Sequence, residues 1–182
     1  MRVTGGCLRG RLVETPPGII RPAMDRMRES VFAVIGDIKG RSFLDLFTGS
    51  GIIALEAASR GASPVEAVEM DKLKRGVLLK NARLSPVRIS CRFMPVELYV
   101  RRAKHAFDYI FCDPPFPYKY KYELAALIAK SALVKEGGLF MIHRPREDFW
   151  DAGVDGMNLS SRREYGRSIV EFWRIDKKNV SN

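Results

Sequence analysis

The sequence predicts an α/β fold, a mostly parallel twisted sheet with helices on both faces and an antiparallel hairpin at its C-terminal edge. Three observations predict it. From Ser42 onward, short apolar runs alternate with helix-length segments, the pattern of parallel strands joined by crossover helices. Near the C-terminus two strand-like runs turn at Gly166, which adds antiparallel pairing. The chain has 182 residues, 46% of them hydrophobic, enough for one compact domain with its own core.

The elements follow in chain order. Arg2-Val3-Thr4, Gly5-Gly6 and Arg11-Leu12-Val13 predict a small β-hairpin around a glycine turn. It belongs to an N-terminal extension, residues 1–20, which Pro16-Pro17-Gly18 ends. Residues 21–182 make the main domain. Its first helix is predicted over Met24–Ile35, with Met27, Val31, Phe32 and Ile35 on one face. Next come strand Ser42–Leu46, helix Ile52–Ser59, strand Val65–Glu69, helix Lys72–Leu84, strand Arg88–Phe93 and a short helix Val96–Arg102. Strand Phe107–Cys112, helix Glu123–Ser131 and strand Gly138–His143 continue the alternation, and Arg162–Tyr165 and Ile169–Arg174 form the hairpin. In such sheets ligands bind beyond the carboxyl ends of the strands, where strand order reverses.

Composition narrows the class. No apolar run approaches the roughly 20 residues that span a bilayer, and Met1–Gly10 lacks a signal-peptide core, so a soluble, cytoplasmic monomer is expected. Cys7, Cys91 and Cys112 form no CxxC pair, and His105 and His143 sit in no metal-ligand spacing. Neither a disulfide framework nor a metal site is expected. Lys and Arg number 31 against 21 Asp and Glu, a net charge of +10 spread along the chain, which favours a polyanionic partner.

Three motifs stand at predicted strand ends. The first, Asp45-Leu46-Phe47-Thr48-Gly49-Ser50-Gly51, opens a helix. Gly49 and Gly51 permit a tight turn and close approach of a ligand to the backbone. The free N–H groups of the helix beyond suit an anionic group. A GxG turn alone is also found as a plain strand-to-helix connection. Asp45 sharpens the signal, because a carboxylate there suits a cationic ligand, and S-adenosylmethionine carries an ammonium and a sulfonium. The second motif is Val65-Glu66-Ala67-Val68-Glu69-Met70-Asp71. Glu69 lies 18 residues after Gly51, where a carboxylate can accept hydrogen bonds from ribose hydroxyls. Asp71 reads as the cap of the following helix.

The third motif, Asp113-Pro114-Pro115-Phe116, carries the most. Two prolines after a strand end can neither continue a ladder nor start a helix at the first proline, so they freeze a rigid loop. From it Asp113 and the Pro114 carbonyl can accept both protons of one amine. An exocyclic base amine is a poor nucleophile, because its lone pair is delocalised into the ring. Accepting its two N–H bonds directs that lone pair at a methyl donor. Phe116 can stack on a flipped-out base.

These motifs, in this order, resemble class I S-adenosylmethionine-dependent methyltransferases acting on base amines, whose fold is Rossmann-like. The head of the chain narrows the resemblance. Gly5-Gly6, Arg9-Gly10-Arg11, the block Arg21-Pro22-Ala23-Met24-Asp25-Arg26-Met27-Arg28-Glu29-Ser30-Val31-Phe32 and the Asp45–Gly51 motif are similar to the RsmD family, which methylates N2 of a guanine in 16S ribosomal RNA. The resemblance runs from Arg2 to about Arg174 and includes Tyr165-Gly166-Arg167-Ser168. It implies S-adenosylmethionine as cofactor and ribosomal RNA, within the assembled small subunit, as partner. It implies Asp113, Pro114 and Phe116 as catalytic residues. Asp45, Phe47, Gly49, Gly51, Glu69, Met70 and Met94 would surround the cofactor, and Arg9, Arg21, Arg26, Arg28, Pro115 and Lys119 would meet the substrate. Three positions depart from the family. Ala23 stands where it has Thr, Ala33 where it has Asn, and Phe93-Met94-Pro95 where it has Asp or Asn followed by Ala to bind the adenine amine. Here adenine is expected to be held by backbone groups and apolar contact.

The basic residues carry two readings. Arg21, Arg26 and Arg28 form either a solvated helix face, with Glu29 paired to Arg26, or a set with one arginine near the active site and the others on RNA phosphate. Arg9 and Arg11, with Lys119 and Lys121 among Tyr118, Tyr120 and Tyr122, surround DPPF as a stacking surface for unpaired bases or as an exposed loop. His143 is expected as a pocket-wall or core residue rather than a base, and no Ser-His-Asp arrangement stands out. Rival functions are an adenine-N6 or protein-glutamine methyltransferase, an inactive RNA-binding relative and a nicotinamide-dependent oxidoreductase. Hydride transfer gives DPPF no role, and the intact Asp113 and glycine loop argue against an inactive relative.

Overall fold

The computed structural model describes residues 1–15, 23–148, 150 and 153–175. Its elements are α1 (Ala23–Ile35), β1 (Phe43–Leu46), α2 (Ile52–Ser59), β2 (Val65–Val68), a 3-10 turn (Lys72–Lys74) running into α3 (Arg75–Ala82), β3 (Ile89–Arg92), α4 (Val96–Arg102), β4 (Phe107–Cys112), α5 (Lys121–Lys130), β5 (Val134–Pro145), β6 (Met157–Tyr165) and β7 (Ser168–Ile175). The strands form one seven-stranded sheet in the order β3-β2-β1-β4-β5-β7-β6. Strands β1 to β5 run parallel, and β7 is antiparallel to both β5 and β6. Strand order reverses between β1 and β4, so the crevice for a ligand opens at their carboxyl ends. Among the described residues no helix is long and apolar enough to cross a membrane.

The central strands are apolar on both faces because helices cover both. Phe43 of β1 joins the core cluster holding Phe32 of α1, Ile53 and Leu55 of α2 and Leu78 of α3. Its neighbours Leu44 and Leu46 join the opposite cluster, with Val96 and Val100 of α4 and Leu124 and Ile128 of α5. All eight residues of α2 are buried, so it has no polar face to show an amphipathic period.

What covers α2 is the N-terminal segment. The predicted hairpin reduces to a single antiparallel bridge, Arg2 to Leu12. Val3 N donates to the Arg11 carbonyl and Gly10 N to the Val3 carbonyl within the segment, and other donors reach α2. Thr4 N donates to Glu56 Oε1 at 3.1 Å, and Cys7 N to the Ser59 carbonyl at 2.9 Å. A Cβ on Gly6 would lie 2.0 Å from that carbonyl oxygen, so this glycine makes the close approach possible.

Three elements run longer than expected. β5 begins at Val134 and reaches Pro145, and β6 begins at Met157. The polar stretch Lys135-Glu136-Gly137 reads as loop by composition, and the exposed face of β6 shows no apolar alternation. Pairing to β7 orders Leu139–Pro145 on one side and Met157–Tyr165 on the other. Helix α5 starts at Lys121, two residues before the predicted Glu123.

Candidate active site

Four strand ends build one cleft. It has a volume of about 770 Å³ and is lined by Phe47 after β1, Glu69 to Lys72 and Lys74 after β2, Glu97 of α4, Asp113 to Phe116 and Tyr118 after β4, and His143 of β5. The Asp113 N–H donates to the Leu46 carbonyl at 3.2 Å, which ties the DPPF loop to the end of β1.

Asp45, in β1, lies buried behind the cleft lining. Its Oδ2 accepts from the Thr48 hydroxyl and, at 3.1 Å, from Ala54 N in the first turn of α2, so one oxygen caps the helix. Its Oδ1 is buried and has no hydrogen-bond partner. Burial pushes this carboxyl up to about 8, against the two hydrogen bonds, which lower it. A buried acceptor without a donor calls for a cation or an N–H from a ligand.

Glu69, at the end of β2, accepts from Gly49 N and from Asp71 N, each at 2.9 Å, and Lys74 Nζ lies 3.7 Å away. It thus clamps the glycine turn while keeping lone pairs for hydroxyls. Gly51 has φ +81°, and a Cβ there would meet Leu78 Cδ1 at 2.6 Å. Phe47 is the one non-glycine residue with positive φ among the described residues, at 59°. Such strain gathers at functional sites. It presents the Phe47 ring to Tyr118, with centroids 5.3 Å apart. The Tyr118 hydroxyl in turn donates to Glu97, and burial together with that carboxylate pushes the phenol up.

The DPPF loop is stapled from beneath by Lys121. Its buried ammonium donates to the carbonyls of Phe116 at 2.8 Å and Tyr118 at 2.6 Å and pairs with Asp148 at 2.9 Å. Asp113 meets His143, Nδ1 to Oδ1 at 2.8 Å, and His143 Nε2 lies 2.8 Å from Ser168 Oγ.

The structure therefore brings together Phe47, Glu69, Met70, Asp113, Pro114, Pro115 and Phe116, with Asp45, Gly49 and Gly51 directly behind them. Met94 does not line the cleft; it packs against the core beside α4. Arg9, Arg26 and Lys119 are exposed, outside the cleft lining. Arg21 lies outside the described residues. Arg28 needs correction as a substrate contact. It is fully buried, paired with Glu56 at 3.1 Å and Asp25 at 2.8 Å, and it donates to the Arg2 carbonyl. Lys121 is neither an RNA contact nor an exposed loop residue. A Ser-His-Asp arrangement does exist, though none stood out in the sequence. Its members are 30 and 25 residues apart, in the loop after β4, in β5 and in β7, and only the Tyr165–Ser168 motif hinted at one of them.

A sheet of this order, with an acidic residue at the ends of β1 and β2 and DPPF at the end of β4, defines a class I methyltransferase. The particular family follows from comparison. The chain belongs to the RsmD family: the family model described as Conserved hypothetical protein 95 matches residues 1–174. It is 28% identical over 183 residues to YlbH of Bacillus subtilis (strain 168), covering 96% of this chain and 98% of that protein. It is 35% identical over 120 residues to ribosomal RNA small subunit methyltransferase D of Escherichia coli (strain K12), covering 64% of this chain and 60% of that one. Among solved structures, yhhF from Escherichia coli matches with a TM-score of 0.87 at 26% identity, over 97% of this chain and 98% of that one.

Class I methyltransferases draw their methyl group from S-adenosylmethionine, and the residues present fit it. Asp45 Oδ1 is an orphaned buried acceptor that suits an ammonium, Glu69 suits ribose hydroxyls, and the cleft lining holds the aromatic rings of Phe47, Phe116 and Tyr118.

Proposed function

We propose that this protein methylates the exocyclic N2 amine of a guanine in small-subunit ribosomal RNA. S-adenosylmethionine, when bound, supplies an electrophilic methyl on sulfonium. Everything else falls to the chain. Asp113 has one carboxylate oxygen engaged by His143 and the other left to accept an amine N–H, with the Pro114 carbonyl as the second acceptor. The rigid Pro114-Pro115 step fixes the direction of both acceptors. Phe116 offers its ring to the base, and the cleft holds amine and methyl in line, so that orientation supplies most of the rate. The methylated nitrogen becomes acidic and loses a proton to water, so no strong base is needed.

One observation carries this reading: the DPPF loop and Glu69 line one cleft, and Asp45 lies buried behind it, near enough for Asp113 and Glu69 to raise its carboxyl. The names of the relatives point the substrate toward ribosomal RNA. The test is transfer of labelled methyl from S-adenosylmethionine to 16S ribosomal RNA, naked and in assembled subunits, followed by nucleoside analysis. N2-methylguanine is expected; label in N6-methyladenine overturns the choice of base. Asp113→Ala should slow single-turnover transfer by about 10²–10³, and Asp113→Asn by less. Wild-type rates in Asp113→Ala would sink the mechanism.

A further inference from the structure

We infer that His143 is a positioning residue for the Asp113 carboxylate, and that Ser168 holds it in that role from the start of β7. The inference rests on the reading of Asp113 given above.

The geometry spans three strands. Asp113 follows β4, His143 lies in β5, and Ser168 opens β7, which is antiparallel to β5 with Ser168 opposite Pro145. His143 is 6% exposed and forms part of the cleft wall. Its Nδ1 lies 2.8 Å from Asp113 Oδ1, its Nε2 2.8 Å from Ser168 Oγ, and its ring stands edge-on to Phe116 with centroids 5.6 Å apart. Ser168 Oγ is also 3.2 Å from the Tyr165 carbonyl.

Hydrogen-bond chemistry assigns the roles. An ionised carboxylate only accepts, so Nδ1 carries the hydrogen toward Asp113. With a neutral ring, Nε2 accepts from the Ser168 hydroxyl. With a protonated ring, Nε2 donates to Ser168, whose own hydrogen passes to the Tyr165 carbonyl. In both states Nδ1–H binds Oδ1, and Ser168 prevents the ring from flipping. The consequence for Asp113 is directional. One oxygen is occupied, the carboxylate plane is fixed, and Oδ2 is the acceptor left for the base amine. His143 touches Asp113 rather than the reacting atoms, so its contribution is to orient an acceptor already built into the loop.

A histidine that merely ties strands together would change stability and leave the chemical step alone. Two shape-matched variants separate these roles. Asn places an amide where the Nδ1 edge of the ring stands, and Gln where the Nε2 edge stands. Single-turnover transfer to 16S ribosomal RNA at saturating S-adenosylmethionine is measured for each, on variants whose melting shows them folded. In His143→Gln the rate should fall about 10–100-fold, the usual loss when an orienting partner is removed, with cofactor affinity unchanged. His143→Asn should restore most of that loss. Ser168→Ala should slow the otherwise wild-type enzyme and add nothing to His143→Gln, because it acts through the ring.

A readout without substrate accompanies these. In protein labelled with ¹⁵N histidine, the His143 Nδ1 should be protonated, and Asp113→Asn should move its resonance. A wild-type rate in His143→Gln, an equal loss in His143→Asn, an additive Ser168→Ala or an unprotonated Nδ1 each overturns the assignment. If the wild-type protein methylates no ribosomal RNA, the substrate reading falls, and the nitrogen resonances still decide the place of His143.

Discussion

Cofactor binding should be coupled to the ionisation of Asp45. In the free protein this carboxyl is buried, with Oδ1 unpartnered, and is held up at about 8. At pH 7 that leaves about nine molecules in ten protonated at this site. An ammonium placed on Oδ1 favours the ionised form, so binding at pH 7 should release about 0.9 proton. Affinity should rise about tenfold per pH unit from pH 5 to 7. It should level off near 8, where both Asp45 and the ligand amine have titrated.

The sign for stability is the reverse. The folded value lies above the unfolded 3.8, so between about 4 and 8 the folded state holds a proton that the unfolded chain has lost. The unliganded protein should therefore lose about 1.4 kcal/mol of stability per pH unit from this group as pH rises through that window. Above it the loss is complete. The assay is calorimetry of S-adenosylhomocysteine binding in two buffers of different ionisation heat. Denaturant melts of unliganded wild type and Asp45→Asn run alongside. Flat affinity from pH 6 to 8 with no proton release would refute the reasoning, as would an Asp45→Asn protein that keeps the wild-type slope.

Three further outcomes are expected. Glu69→Ala removes the acceptor for Gly49 N and Asp71 N and should weaken S-adenosylmethionine by about 1–3 kcal/mol; unchanged affinity by calorimetry removes Glu69 from the ribose role. Glu56→Ala takes from the fully buried Arg28 one of its two carboxylate partners, and from Thr4 N and Arg60 theirs, and should cost about 3–5 kcal/mol. That corresponds to a melting point lower by about 10 °C, at 2–4 °C per kcal/mol for a chain of this size; a loss under 1 kcal/mol in urea melts contradicts it. RNA affinity should fall steeply with salt, by about 0.7 log unit per log unit of salt for each single-strand phosphate neutralised, while cofactor affinity holds steady. A flat salt profile counts against a phosphate-dominated interface.

What the sequence made legible follows the range of the interactions. Helix Ile52–Ser59, helix Val96–Arg102 and strand Phe107–Cys112 were readable to the residue, because apolar runs and flanking turns are local signals. Asp45 and Asp113 carried local markers too, the glycines of the turn after β1 and Pro114-Pro115, while Glu69 was marked only by its place just after the second strand. The misread residues owe their roles to distant partners. Arg28 looks like a surface arginine until Glu56, 28 residues on, is folded against it. Lys121 sits in an alternation of Tyr and Lys, and its interior place depends on Asp148 and two carbonyls of the preceding loop. Gly5-Gly6 reads as a turn, although Gly6 is there because a helix carbonyl presses against it. No period or spacing encodes such contacts, because the fold must exist before they do.

Among the described residues, the last strand in the chain is not the last in the sheet. β7 lies between β5 and β6, with an antiparallel partner on either side. During synthesis, Asp45, the glycine turn and Glu69 emerge first, and Asp113 some 44 residues later. Ser168 follows only after a further 55. Until β7 inserts, β5 presents an open, apolar edge able to pair with other chains. The pairing that closes it spans 23 residues at Pro145–Ser168 and 35 at Leu139–Arg174, against 66 at Phe43–Tyr109 between β1 and β4, so it can form soon after β7 emerges. A truncation before Ser168 therefore leaves β5 with an exposed sheet edge.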